Sequence, residues 1–174
     1  MTDLTLRSAA GSDMDAVARL CWAYRALLSE RAAGIPGIVE RYYARASYAE
    51  MIADLPRLHA RPRGDIIVAE AGGQVVGCAM YYPLGPAGVT EIKRVFVDPA
   101  ARGLGAGRAL MTEGMQRAAA DGYRRMVLDT IAPLTEAIAL YERVGFAPCA
   151  PFYDPDPAFA PHLRFFDITL GTPS

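Results

Sequence analysis

Apolar and polar residues alternate with a period of two over residues 4–9 (LTLRSA), which predicts a short strand. The period then lengthens. Met14, Val17, Leu20, Cys21, Tyr24, Leu27 and Leu28 recur at helical spacing, with Ser12 or Asp13 placed to cap the start and Gly34 to end the run. IPGIVERYYARAS is broken by Pro36 and Gly37 and fits no single period; a second helix is expected over about 46–59. Residues 65–84 hold two β-rich runs around Gly72-Gly73, a hairpin signal, and VTEIKRVFV (89–97) is a third, stopped by Asp98-Pro99. A helix over 105–120 carries Leu110, Met111, Met115 and Ala118 on its apolar side. RRMVLDT (124–130) reads as a strand, TEAIALYERVG (135–145) as a helix closed by Gly145, and HLRFFDITL (162–170) as a final strand. The Pro-rich stretch APFYDPDPAFAP (150–161) reads as an excursion between the last strands. This order predicts a single α/β domain over residues 1–174, with helices on a central sheet.

Composition narrows the choice only a little. Apolar residues make up 52% and charged residues 21%, as in an ordinary globular chain. The net charge of −1 supplies no global pull toward nucleic acid or a membrane surface. No stretch approaches the roughly 20 apolar residues of a spanning helix. Cys21, Cys78 and Cys149 are far apart and show no metal-ligand spacing, so neither a disulfide framework nor a metal site is expected. The opening MTDLTLRSAAGSDMD has no apolar run of the signal-peptide kind, and a cytoplasmic setting is expected.

The chemistry gathers in VFVDPAARGLGAGRAL (95–110). Gly103, Gly105 and Gly107 occupy alternate positions between a strand and a long helix, a costly use of glycine. A helix N-terminus carries unpaired N–H groups and partial positive charge, and removal of Cβ lets a phosphate approach them. Arg102 and Arg108 flank the turn. A plain connecting turn is the alternative reading. Two phosphate motifs fail: counted from Gly103 or Gly105, a dinucleotide fingerprint meets Arg108 or Leu110 at its last position, and the P-loop lysine is absent after Gly107.

Arg102-Gly103-Leu104-Gly105-Ala106-Gly107, directly after the strand ending RVFVDP, resembles the pyrophosphate turn of the GNAT superfamily of N-acetyltransferases. AIALYERVGF (137–146) is similar to that family's downstream helix and following strand, and the element order matches over nearly the whole chain. The resemblance implies a single-domain α/β (α+β) fold with a mixed, mostly antiparallel sheet of about six to seven strands, and acetyl-coenzyme A (acetyl-CoA) as cosubstrate. It places Val95, Phe96 and Val97 on a splayed strand beside the cofactor's amide arm, and Arg102 through Gly107 on its pyrophosphate, with Arg108 at the edge. The Val95 N–H is the expected oxyanion donor.

Tyr141 stands where the family often has a general acid, the alternative being a core tyrosine. Glu91 matches a position that in some members is a carboxylate base, the alternative being a glutamate that only organises a surface. Many members carry Asn after the strand MVLDT; here Thr130 or Thr135 would replace it. An acceptor wall is sought among Tyr42, Tyr43 and Tyr48 and in the excursion at Phe152, Tyr153, Asp154 and Asp156, against a packing role for the tyrosines and a solvated loop for the acids. His59 and His162 read as surface or loop residues, Cys78 as packing, and Arg124 and Arg125 as solvent-facing. The implied activity is acetyl transfer to a primary amine by direct attack in a ternary complex, with a small molecule preferred over a protein lysine or N-terminus, and a homodimer compatible. A non-catalytic acyl-CoA sensor is the alternative; it would keep the turn and need no acid.

Overall fold

In the computed structural model, which describes residues 3–171, the period-two runs form strands β1 (Leu4–Ser8), β2 (Asp65–Ala71), β3 (Gln74–Pro83), β4 (Val89–Val97), β5 (Arg125–Ile131), β6 (Ala147–Pro148) and β7 (Leu163–Thr169). The helical runs form α1 (Met14–Arg31), α3 (Arg45–Leu58), α4 (Ala106–Ala120) and α5 (Thr135–Arg143). The stretch that fitted no period becomes a short helix, α2 (Ile38–Tyr43), entered through Gly37 in a left-handed conformation. Asp13 does not cap α1 with its side chain. Arg7 holds that carboxylate at 2.6 Å, and it accepts the Ala10 N–H at 2.7 Å, so it tightens the preceding turn instead.

The strands join one mixed sheet in the order β1-β2-β3-β4-β5-β7-β6. Every pairing is antiparallel except β4 with β5, the α/β (α+β) arrangement expected. Alternation along the central strands builds two cores. Ile67, Ala69, Ala79 and Tyr81 face α4 and α5 with Leu110, Met111 and Tyr141. Ile66, Val68, Cys78 and Met80 face α1 and α3 with Val17, Leu20 and Leu55. Each large aliphatic side chain so buried supplies roughly 1.5–3 kcal/mol to hold the layers together.

Two irregularities in the middle of the sheet matter for function. The parallel pairing of β4 with β5 covers only Val89–Glu91 against Arg125–Val127, after which the strands part. On its other side β4 carries a bulge. Cys78 pairs with Phe96 and Met80 with Lys93, so Ala79 alone opposes Arg94 and Val95. Arg94 sits there at φ 53°, a conformation a side chain with Cβ rarely adopts, and the strand's alternation is reset.

Candidate functional site

The parting strands open a passage between the two helical layers. Toward the glycine turn lies a cleft of about 230 Å³ bounded by Tyr24, Val95, Phe96, Arg102, Glu136 and Tyr141. Toward α2, α3 and the 150–161 excursion lies a cavity of about 340 Å³ bounded by tyrosines 42, 43, 48 and 153 with Lys93, Arg94, Asp129 and Thr130. A gap of only about 20 Å³ links them, walled by residues of both: Tyr24, Val95 and Tyr141 from the first, Tyr43, Lys93, Arg94 and Asp129 from the second.

The turn is built from backbone. Gly103 and Gly105 lie at φ 89° and 73°, where a side chain is disfavoured, and a Cβ on either would point into open space. Gly105 caps α4 without a side-chain bond. None of the N–H groups from Gly103 to Arg108 has an acceptor among the described residues. Such a row of free donors at a helix start binds anions. Gly107 also has a packing duty. A Cβ there would stand 3.3 Å from Leu140 and 4.0 Å from Val97, so its missing side chain seats α4 against α5 and the sheet. At the mouth Arg31 pairs with Glu136 at 2.8 Å beside the exposed Arg102, adding cationic groups.

The gap holds Tyr141. Only 8% exposed, it packs on Phe146 and Phe166 and borders the cleft as well. Burial, then Tyr24 and Asp129, push its phenol well above the ordinary range, so it remains a hydrogen-bond donor.

Beyond the gap the charges are few and close. Lys93 Nζ donates to Glu91 Oε1 at 2.8 Å and lies 3.6 Å from Asp129 Oδ1. Glu91 is buried, and its other oxygen accepts from the Tyr82 hydroxyl. The Tyr153 hydroxyl donates to Asp129 Oδ2 at 2.6 Å. Burial opposes the Lys93 charge, yet Asp129 and Glu91 outweigh it and hold the ammonium well above its usual value. Burial and Glu91 push the Tyr82 phenol up to about 12. Asp129, not Glu91, borders the cavity and the gap.

The other anticipated residues fall as follows. Val95 and Phe96 line the cleft, while Val97 turns into the α4 layer and Ala106 is buried under the turn. Leu104 is exposed beside Gly103 and Gly105, and Arg108 is exposed on α4. Thr130 lines the larger cavity rather than the cleft; its hydroxyl is buried and has no partner among the described residues. Thr135 is exposed at the start of α5. Tyr153 reaches the cavity, but Asp156 is engaged by Arg41 at 2.8 Å and Asp154 is exposed; neither lines the cavity. His59 is not a surface residue: it is 4% exposed, its Nδ1 lies 2.9 Å from the Tyr81 carbonyl, and burial lowers it to about 4. Sequence reasoning passed over Asp129, Lys93, Arg94, Tyr24 and Arg31. EIKR and LDT contain three of them, but only the β4 bulge and the parting of β4 from β5 bring those three together.

The sequence model of the Acetyltransferase (GNAT) family matches residues 33–146. An IAA acetyltransferase of Azospirillum brasilense is 38% identical over 123 residues, 68% of this chain and 80% of that protein. An uncharacterized N-acetyltransferase of Schizosaccharomyces pombe is 38% identical over 103 residues, but these make up 59% of this chain and only 63% of that protein's length. Among solved structures, the acetyltransferase candidate yncA of Salmonella typhimurium, with its cofactor acetyl-CoA, superposes with a TM-score of 0.69 at 21% identity over 97% of this chain and 94% of that one, a likeness of fold. The chain belongs to the GNAT acetyltransferase family.

Proposed function

We propose that this protein transfers acetyl from acetyl-CoA to a small primary amine, by direct attack in the gap between the parted strands. One observation carries the reading: a single passage runs from a row of free N–H donors, past a buried phenol, to a half-buried carboxylate. The free donors from Gly103 to Arg108, with Arg102 at the mouth, suit a pyrophosphate. Past Glu91, β4 has no partner on its β5 side, and its backbone at Val95 is free to meet an extended amide arm. Bound there, acetyl-CoA supplies an activated acetyl thioester.

The residues of the chain divide the rest of the work. Asp129 borders the gap and accepts a proton from the amine, directly or through water. The base role anticipated for Glu91 passes to Asp129 in this reading, because Asp129 borders both the cavity and the gap while Glu91 is buried and borders neither. Glu91 then fixes Lys93, and Lys93 orients Asp129. Tyr141 Oη holds the proton destined for the leaving sulfur, and its burial keeps that proton in place. The narrow gap limits water around the reacting atoms.

The test is thiol release from acetyl-CoA with a panel of primary amines, beside calorimetric binding of acetyl-CoA. Wild-type protein should release thiol, and Tyr141→Phe should lower kcat about 100-fold with acetyl-CoA affinity nearly unchanged. Binding without thiol release from any amine would leave the acyl-CoA sensor in its place.

A further inference from the structure

Arg94 is the residue the mechanism leaves idle, and its position is unusual. Successive residues of a strand point to opposite faces, yet Lys93 and Arg94 both border the same cavity. The bulge at Ala79 and the left-handed backbone of Arg94 bring this about. Their electrostatic situations differ. Lys93 is matched by Glu91 and Asp129. Arg94 has no carboxylate partner among the described residues. Its Nη1 is 3.8 Å from the Met80 thioether, and its Nε is buried with no acceptor. A partly buried guanidinium whose one side-chain acceptor is a thioether is poorly compensated, and a carboxylate satisfies it through charge-assisted, paired hydrogen bonds.

A second, independent observation lies across the same space. Thr130, 5% exposed, is a residue of the cavity wall, and its buried hydroxyl has no partner among the described residues. The remaining wall is aromatic and apolar, from Tyr42, Tyr43, Tyr48 and Met51. Three chemistries therefore line about 340 Å³: a carboxylate at Asp129, a guanidinium at Arg94 without a carboxylate partner beside the unpartnered Thr130, and a largely apolar wall.

Building on the acetyltransferase reading, we infer that the acceptor is a free amino acid with an apolar or aromatic side chain. Its amine faces Asp129, its carboxylate is held by Arg94 with the Thr130 hydroxyl, and its side chain lies on the tyrosines. A plain amine leaves Arg94 unsatisfied, and a protein lysine or N-terminus brings no carboxylate next to the amine.

The experiment compares kcat/KM for matched acceptors: phenylalanine, phenylalaninamide and phenethylamine, then leucine and 3-methylbutylamine. The amino acids should be preferred by roughly 10- to 100-fold, the worth of a hydrogen bond to a charged group. Arg94→Met should collapse that ratio to about one, chiefly through a higher KM for the amino acid, and Arg94→Lys should restore part of it. Stabilisation of each variant by acetyl-CoA verifies that it is folded. A wild-type ratio near one, or a preference for the acceptors without a carboxylate, overturns this inference and leaves acetyl transfer standing. Absence of thiol release with every acceptor overturns both.

Discussion

The cleft at the glycine turn and the cavity beyond the gap adjoin one another, yet they are made from different material. The turn offers main-chain donors in a conformation that two glycines permit, and its side chains are mostly exposed. The cavity is made of side chains from α2, α3, β4, β5 and the 150–161 excursion, with its acids and cations already paired in part. A backbone site recognises a group common to every donor of one class. A side-chain site is free to change its acceptor without disturbing the turn. That separation lets one fold keep its donor while acceptors vary.

Four experiments break or sharpen this contrast. The largest effect is expected from Gly105→Val. A β-branched residue at φ 73° is strained by about 1–2 kcal/mol, and its side chain would occupy the space the turn leaves open. Lost donor contacts add to the strain, and acetyl-CoA affinity measured by calorimetry should fall about 1000-fold. Asp129→Asn strikes the other half. It should lower kcat/KM for the amine about 100-fold while acetyl-CoA binds with nearly unchanged affinity.

Acid should act away from both, at the packing of α3 on β3. His59 lies under Tyr82 and is held neutral, its pKa depressed to about 4 from an ordinary value near 6.5. The unfolded chain therefore binds more protons between these limits. Stability is complete above pH 6.5 and falls as pH drops toward 4, by up to about 3 kcal/mol. Urea unfolding at pH 7.5 and 4.5 should show this loss, and His59→Gln should flatten it. The smallest effect tests whether all three glycines serve the turn. Gly107→Ala meets only the flexible end of Leu140, at 3.3 Å, and gains up to about 1 kcal/mol of helix propensity. Its acetyl-CoA affinity should change less than threefold; a loss comparable to that of Gly105→Val would return Gly107 to the binding turn.

Much of the fold was legible because its signals are local. Strand β4 was read with both ends in place, and α1, α3, α4 and α5 within a few residues, since each depends on periodicity and on nearby Gly or Pro. Helix α2 was not, because Pro36 and Gly37 interrupt the pattern and its one buried residue, Ile38, finds its partners in a distant cluster with Leu28, Ile131 and Phe165. His59 looked like a loop residue for a similar reason: its burial comes from the β3 strand packing over it.

The glycine turn, the helix it opens and the tyrosine downstream could be read from residue order alone, because each is a short-range arrangement of backbone and neighbours. Residue order also carried the family, through two motifs whose spacing needs no coordinates. The packing of strands and helices was needed to engage Glu91 on both oxygens, to set Gly107 against Leu140, and to bring Asp129 to the gap. It alone set Arg94 beside Lys93 in one cavity. The reason is physical: a bulge and a short parallel pairing are decided by how neighbouring strands meet, and no pattern within one strand records its neighbour's register.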